Sequence, residues 1–161
     1  MSKYTLGLDC SPLRIGWALT DDDLNPIKNG VIIFPPKEWV TPAMRAEAME
    51  DALEDEKIKH VGAEAVFVGM NKLGSIRAAM ALGQLESICD FMWPEADQKI
   101  LTATQWRKLC GIRQGGKVPV MEWATRFCAI YGATPPDNQD AADAIAISYA
   151  TVLWHEEQAG E

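Results

Sequence analysis

The segment Tyr4-Thr-Leu-Gly-Leu-Asp9-Cys-Ser11 constrains this chain more than any other, because a short apolar run of strand length stops there on an acid. At the two-residue period of a strand, Thr5, Gly7 and Asp9 share one face and Leu6 and Leu8 the other. A carboxylate at the tip of a first, central strand lies in apolar surroundings. A metal, a cation or hydrogen bonds must offset its charge. An Asx-type turn into Ser11-Pro12 would account for this segment alone. His60-Val-Gly-Ala-Glu64-Ala-Val-Phe67 repeats the design, with Glu64 at the end of the apolar run. Gly7 and Gly62 each precede the acid by two residues and would leave bare backbone, with room for an ion or a phosphate. Asp140 and Asp143 open a helical run at a spacing that puts both on one helix face. Acids in a first helical turn are also common caps, favoured by the helix dipole. Four acids at three separated points, each bordering a hydrophobic element, suggest one shared divalent-metal site.

Taken in order, residues 4–9, 15–20 and 28–34 read as strands. Ser11-Pro12 and Asp21-Asp-Asp-Leu-Asn-Pro26 supply turns short enough for an antiparallel meander. Thr41-Pro42 is the cap and first residue of a helix to about Lys57. A strand over 60–67 follows as a parallel neighbour of the meander. The spacing predicts helices over 71–92, 104–110, 119–131 and 138–154, with a strand at 97–101. Small residues Gly74, Ala78, Ala79, Ala81 and Gly83 line one side of the long helix and permit close approach of another helix, in the core or from a second copy. The order βββαβαβααα gives an α/β domain with a mixed sheet. Residues 1–156 form the expected single domain, with 157–161 as a short tail.

With 161 residues the chain can bury a sizeable core as one domain. No apolar run is long enough for a membrane span and no signal-peptide core follows the N-terminus, so a cytoplasmic location is expected, in a bacterium or a virus-infected host cell. Cys10, Cys89, Cys110 and Cys128 form no CxxC pair and are expected as free, mostly buried thiols. The net charge of −8 argues against a nucleic-acid partner globally, yet residues 99–136 carry +5 and the remainder −13. A solvated helix face would explain such a segment; beside clustered carboxylates it reads as a phosphate-binding flank. His60 and His155 read as structural or solvated, and Trp39, Trp93, Trp106 and Trp123 as core or interface packing.

Two hard divalent cations held by carboxylates roughly 3.5–4 Å apart can hydrolyse a phosphodiester in line. In that reading Asp9 bridges the ions, Glu64 binds one, and Asp140 with Asp143 bind the other. Mg2+ suits such oxygen ligands, and two ions per site are expected with Mn2+ as a substitute.

These residues together resemble the RuvC family of Holliday-junction resolvases, of the RNase H-like superfamily. Leu6-Gly-Leu-Asp9-Cys-Ser11 is similar to the family's first acidic strand, and Glu64-Ala-Val-Phe67 with Asn71 to its E-x-V-F…N motif. Leu82-Gly-Gln84 is similar to its L-G-Q helix, and Asp140-Ala-Ala-Asp143-Ala-Ile-Ala-Ile147 to its final acidic run. The resemblance implies an RNase H-like five-stranded mixed sheet flanked by helices. It implies a homodimeric endonuclease that cleaves two strands of four-way DNA junctions, leaving 5′-phosphate ends. It assigns metal binding to Asp9, Glu64, Asp140 and Asp143. It places Phe67 on a base at the opened crossover and Lys117 close to the scissile phosphate, where a positive charge stabilises the transition state. Asn71, Lys72, Arg77, Arg107, Lys108 and Arg113 join Phe67 and Lys117 as expected nucleic-acid contacts.

Two departures point to a less selective branched-DNA nuclease: the family's second lysine is Val120 here, and the chain is acidic overall. Gly111 to Val118 matches a phosphate-binding P-loop except that Val118 replaces the metal-binding Ser/Thr, which argues against an NTPase. Arg14-Ile-Gly-Trp-Ala-Leu-Thr-Asp21 resembles a strand of the YqgF family, implying RNA processing on the same fold. A non-catalytic branched-DNA-binding module is the remaining alternative. Helicase partners are not encoded in any motif.

Overall fold

A computed structural model describes residues 3–36 and 39–161. Strand β1 (Tyr4–Cys10) pairs antiparallel with β2 (Arg14–Asp21), which pairs antiparallel with β3 (Pro26–Ile33). After α1 (Pro42–Leu53), β4 (Ile58–Glu64) returns parallel to β1, and β5 (Asp97–Leu101) follows parallel to β4 on the far side of α2 (Lys72–Met92). The five-stranded mixed sheet has the order β3-β2-β1-β4-β5, so the strand carrying Asp9 is central. Helices α3 (Ala103–Leu109), α4 (Val118–Ile130) and α5 (Gln139–Ala159) complete the chain.

The period-2 pattern of β1 separates two cores. Leu6 and Leu8 are fully buried against the α1 and α2 side, with Met49, Leu53, Leu85 and Cys89. Each such burial stabilises the fold by about 2 kcal/mol. The opposite face is covered by α5, which lies close to the sheet through Ala144, Ser148 and Thr151 and turns Ala142, Ala146 and Ala150 away from it. Behind it pack Trp106, Val120, Ala124 and Phe127 of α3 and α4. Thr20 and Ser148 share a buried 2.6 Å hydrogen bond across this contact. All four cysteines are free, and burial pushes the thiols of Cys10 and Cys89 up to about 11 and about 12.

Caps explain where helices begin. Thr41 accepts from Met44 N ahead of Pro42, as its sequence position predicts. Asn71 caps α2 through Gly74 N, and Asn138 caps α5 through Ala141 N. For α3 the cap is Thr102 rather than the expected Thr104, because Gln105 completes a capping box with it. Three other boundaries differ from expectation by three residues or more. Helix α1 ends at Leu53 rather than near Lys57. Strand β4 stops at Glu64 instead of continuing to 67, since β5, its outer partner, supplies its last register position at Leu101. Helix α5 continues past 154 to Ala159, with His155 held inside it. No helix among the described residues is long and apolar enough to cross a membrane.

Candidate active site

The four acids meet at the edge of the sheet where β1 and β4 end. Asp9 and Glu64 stand near the C-terminal ends of two adjacent parallel strands, and Gly7 is the register partner of Gly62. Asp9 also faces Gly16 across the antiparallel pair with β2. The first turn of α5 lies over this point and brings Asp140 and Asp143 to the same face. What permits that approach is the absence of side chains on three adjacent strands. A Cβ at Gly16 would overlap the backbone of Asp140, one at Gly7 the Ala144 carbonyl, and one at Gly62 the Thr151 hydroxyl. The space that these glycines leave therefore admits a helix, not the ion or phosphate expected beside each carboxylate. The helix in turn carries half of the acids.

Crowding of like charge in a dry setting dominates the electrostatics. Burial, followed by the charges of Asp143, Glu64 and Asp140 and a hydrogen bond with Asp140, raises the Asp9 pKa from 3.8 to about 8. Burial raises Asp143 to about 6 against the opposing hydrogen bond from Gln139, whose Nε2 donates to Oδ1 at 2.7 Å. Glu64 is also raised by burial, while Trp106 Nε1, donating to Oε2 at 2.7 Å, and the Arg107 charge lower it. Arg14 Nε lies 3.1 Å from Asp140 Oδ2 in a partly exposed ion pair. Each acid other than Asp9 thus has one neighbouring side chain that fixes its orientation. Among the described residues, no three of these acids bring oxygens within 4.8 Å of one another; the group of ligand-type side chains that does so is His60, Asp97 and His155. An all-carboxylate set whose central member retains a proton near neutrality lacks positive charge, and hard oxygen-preferring cations fit that donor set.

The basic flank reaches the acids through Arg107. Its guanidinium lowers the pKa of both Glu64 and Asp143 and donates to Gln114 O at 3.0 Å and Gly116 O at 2.7 Å, tying the loop before α4 to the site. Lys117 sits exposed at the start of α4, and among the described residues no hydrogen bond or ion pair links it to the acids. Phe67, 86% exposed, projects from the connection after β4, next to exposed Val68 and Met70. Asn71 is engaged as the α2 cap, and Lys72 is exposed beside it. Arg77 lines a cavity of about 750 Å3 with Arg14, Arg45, Trp39 and Gln84. Lys108 is exposed, and Arg113 lines a separate cavity of about 450 Å3 between the α3–α4 loop and α4.

Three neighbours of the acids escape a reading based on motifs. Gln139 had a usable signal, its i, i+4 spacing to Asp143. Arg14 and Trp106 had none, since their partners lie far away in sequence. Trp106 is buried in the core as expected and orients Glu64 as well. Trp39, by contrast, is 70% exposed at the rim of the larger cavity.

The sequence matches no family model and no curated protein. Solved structures do match. RuvC of Thermus thermophilus, in complex with its Holliday junction substrate, superposes with a TM-score of 0.74 at 14% identity, over 96% of both chains. The fold is that of the RuvC resolvases. The yeast mitochondrial Holliday junction resolvase superposes on this chain with a TM-score of 0.62 at 10% identity, over 99% of this chain and 82% of that one. Fowlpox virus resolvase, also solved with Holliday junction DNA, gives 0.52 and 12%, over 98% and 99%. The central acidic strand, the parallel β4 and the closing helix α5 are thus parts of a RuvC-type architecture that persists where little sequence identity does.

Proposed function

We propose that this chain is a divalent-metal-dependent endonuclease that cuts four-way DNA junctions, and other branched DNA less selectively, leaving 5′-phosphate ends. The supporting observation is the meeting of Asp9, Glu64, Asp140 and Asp143, from two strands and a helix, at an edge where Asp9 is raised to about 8 by burial and its acidic neighbours. The RuvC fold adds weight, because two of the structural neighbours were captured with junction DNA.

Asp9 is the shared ligand in this reading, with Glu64 on one side and Asp140 and Asp143 on the other. Two Mg2+ ions, or Mn2+ in their place, would supply an attacking water of lowered pKa and stabilise the leaving oxygen. Trp106 and Gln139 fix the carboxylates of Glu64 and Asp143, so little reorganisation is needed to hold a cation. Arg107 braces the loop that ends at Lys117, whose positive charge stabilises the transition state at the scissile phosphate. Phe67 stacks on a base at the opened crossover; such stacking is worth about 1–3 kcal/mol per base. The basic surface of Lys72, Arg77, Lys108 and Arg113 follows the phosphate backbone, and two copies of the chain cut opposite strands. The net acidity elsewhere weakens non-specific duplex binding.

A cleavage assay on a labelled four-way junction, a Y-fork, a linear duplex and a structured RNA tests the reading, with Mg2+, with EDTA and with Asp9→Asn. Paired symmetric nicks in the junction that need both Mg2+ and Asp9 are expected, with weaker cutting of the fork. Cleavage of the RNA alone, or binding without cleavage of any substrate, would overturn it.

A further inference from the structure

A second group of ligand-type side chains lies at the other end of the same two elements. His60 precedes Glu64 by four residues on β4, roughly 13 Å along a strand, and His155 follows Asp143 by twelve residues on α5, about 18 Å along a helix. Asp97 opens β5 as the register partner of His60, so both face α5. There the imidazole of His155 stacks on that of His60, with centroids 3.6 Å apart and planes inclined by 19°. His60 Nδ1 lies 3.8 Å from Asp97 Oδ2, and one ligand atom from each of the three residues falls within 4.8 Å of the others.

Two features separate this group from an ordinary packed pair. His60 Nδ1 and His155 Nε2 are both sealed from solvent and have no hydrogen-bond partner among the described residues. An unmade hydrogen bond of this kind costs about 1–3 kcal/mol. Burial also lowers the pKa of both rings, with Lys59 contributing to each, so both are neutral at physiological pH, the form that ligates metals. The surrounding charges do not block a cation: Lys59 is paired with Asp22 at 2.6 Å, and Lys99 lies over the Trp154 ring at 4.3 Å. Asp97, 77% exposed, leaves a path from solvent.

We propose that His60, Asp97 and His155 form a second metal site that takes a borderline transition ion such as Zn2+ rather than Mg2+. Two imidazoles and one carboxylate suit such an ion, and three protein ligands leave the fourth tetrahedral position to water. Convergence on one ion requires the stacked rings to fan apart about their soft terminal torsions. The ion clips α5 to β4 and β5, the elements that carry three of the four candidate catalytic acids or border them. This site is independent of the carboxylate cluster and of its proposed reaction.

The test is metal binding to the whole metal-stripped chain in saturating Mg2+, read by the visible absorption of Co2+ and by the rise in melting temperature with Zn2+. One equivalent is expected in the wild type and in Asp9→Asn, with affinity about 10-fold or more weaker in His155→Gln. Should His155→Gln fail to fold by circular dichroism, Asp97→Asn on the exposed rim gives the same reading and should also lose the Zn2+-dependent rise. Unchanged affinity in His155→Gln or Asp97→Asn would overturn the site, as would binding lost only in Asp9→Asn. Absence of binding in the wild type would leave a bare imidazole stack and refute it outright.

Discussion

Asp9 should make the metal-free protein lose stability as pH rises through neutrality. Its carboxyl loses a proton at 3.8 in the unfolded chain and at about 8 in the folded one. Between these values the folded state holds a proton that the unfolded state has released, so each pH unit lowers stability by about 1.4 kcal/mol. Asp143, titrating at about 6, and Glu64, also raised by burial, contribute in the same direction. The two histidines, lowered on folding, add stability that levels off only above their unfolded value of 6.5. Comparison with Asp9→Asn removes what the two proteins share, so from pH 6.5 to 8 the difference between them belongs to Asp9 and amounts to about 2 kcal/mol. Asp9→Asn removes the titrating group and with it that share of the slope. Urea unfolding in EDTA, for wild type and variant at pH 6.5 and 8, should show the variant gaining about 2 kcal/mol on the wild type. Parallel behaviour of the two proteins would refute the crowding of charge at this site. Saturating Mg2+ should flatten the wild-type slope as well, since cation and proton compete for the same oxygens.

Other substitutions probe the scaffold and the surface. Gly62→Ala drives a methyl group into Thr151 and should cost about 1–3 kcal/mol in urea unfolding, with loss of cleavage as α5 shifts. Trp106→Phe removes the hydrogen bond to Glu64, raising the Glu64 pKa further; the acid limb of the cleavage pH profile should move to higher pH while circular dichroism is unchanged. Phe67→Ala should change stability by less than about 0.5 kcal/mol, because the ring is exposed, while impairing junction opening measured by base-analogue fluorescence. Arg14→Ala breaks a half-exposed ion pair and should cost under about 1 kcal/mol in stability, a larger loss indicating a buried role.

Much of the fold was legible because its signals are local. The alternation in Tyr4–Cys10 separates a leucine face from a glycine and acid face, and both faces are buried as that pattern requires. Thr41-Pro42 and Asn138 mark helix starts through caps that involve only the next three residues. Where local signals competed, the outcome depended on pairing. Thr102 and Thr104 are both plausible caps, and Gln105 selects the first. The end of β4 at Glu64, which frees Phe67 from the sheet, depends on how far β5 extends beside it.

The candidate site divides in the same way. Asp9, Glu64, Asp140 and Asp143 stand out in sequence because acids at the ends of apolar runs are costly unless compensated. Their meeting point was decided by tertiary packing, because it depends on Gly7, Gly16 and Gly62 lying side by side on three strands under α5. The same geometry gave the acids their neighbours Arg14, Trp106 and Gln139 and moved Asp9 to a pKa of about 8. It also stacked His60 and His155, which looked ordinary as isolated residues. Sequence by itself determined which residues carry charge and which element each belongs to, since these follow from side-chain chemistry and short-range periodicity. Only the tertiary structure decided which charges face each other, because Coulomb and desolvation energies depend on distances and burial set by residues far apart in the chain.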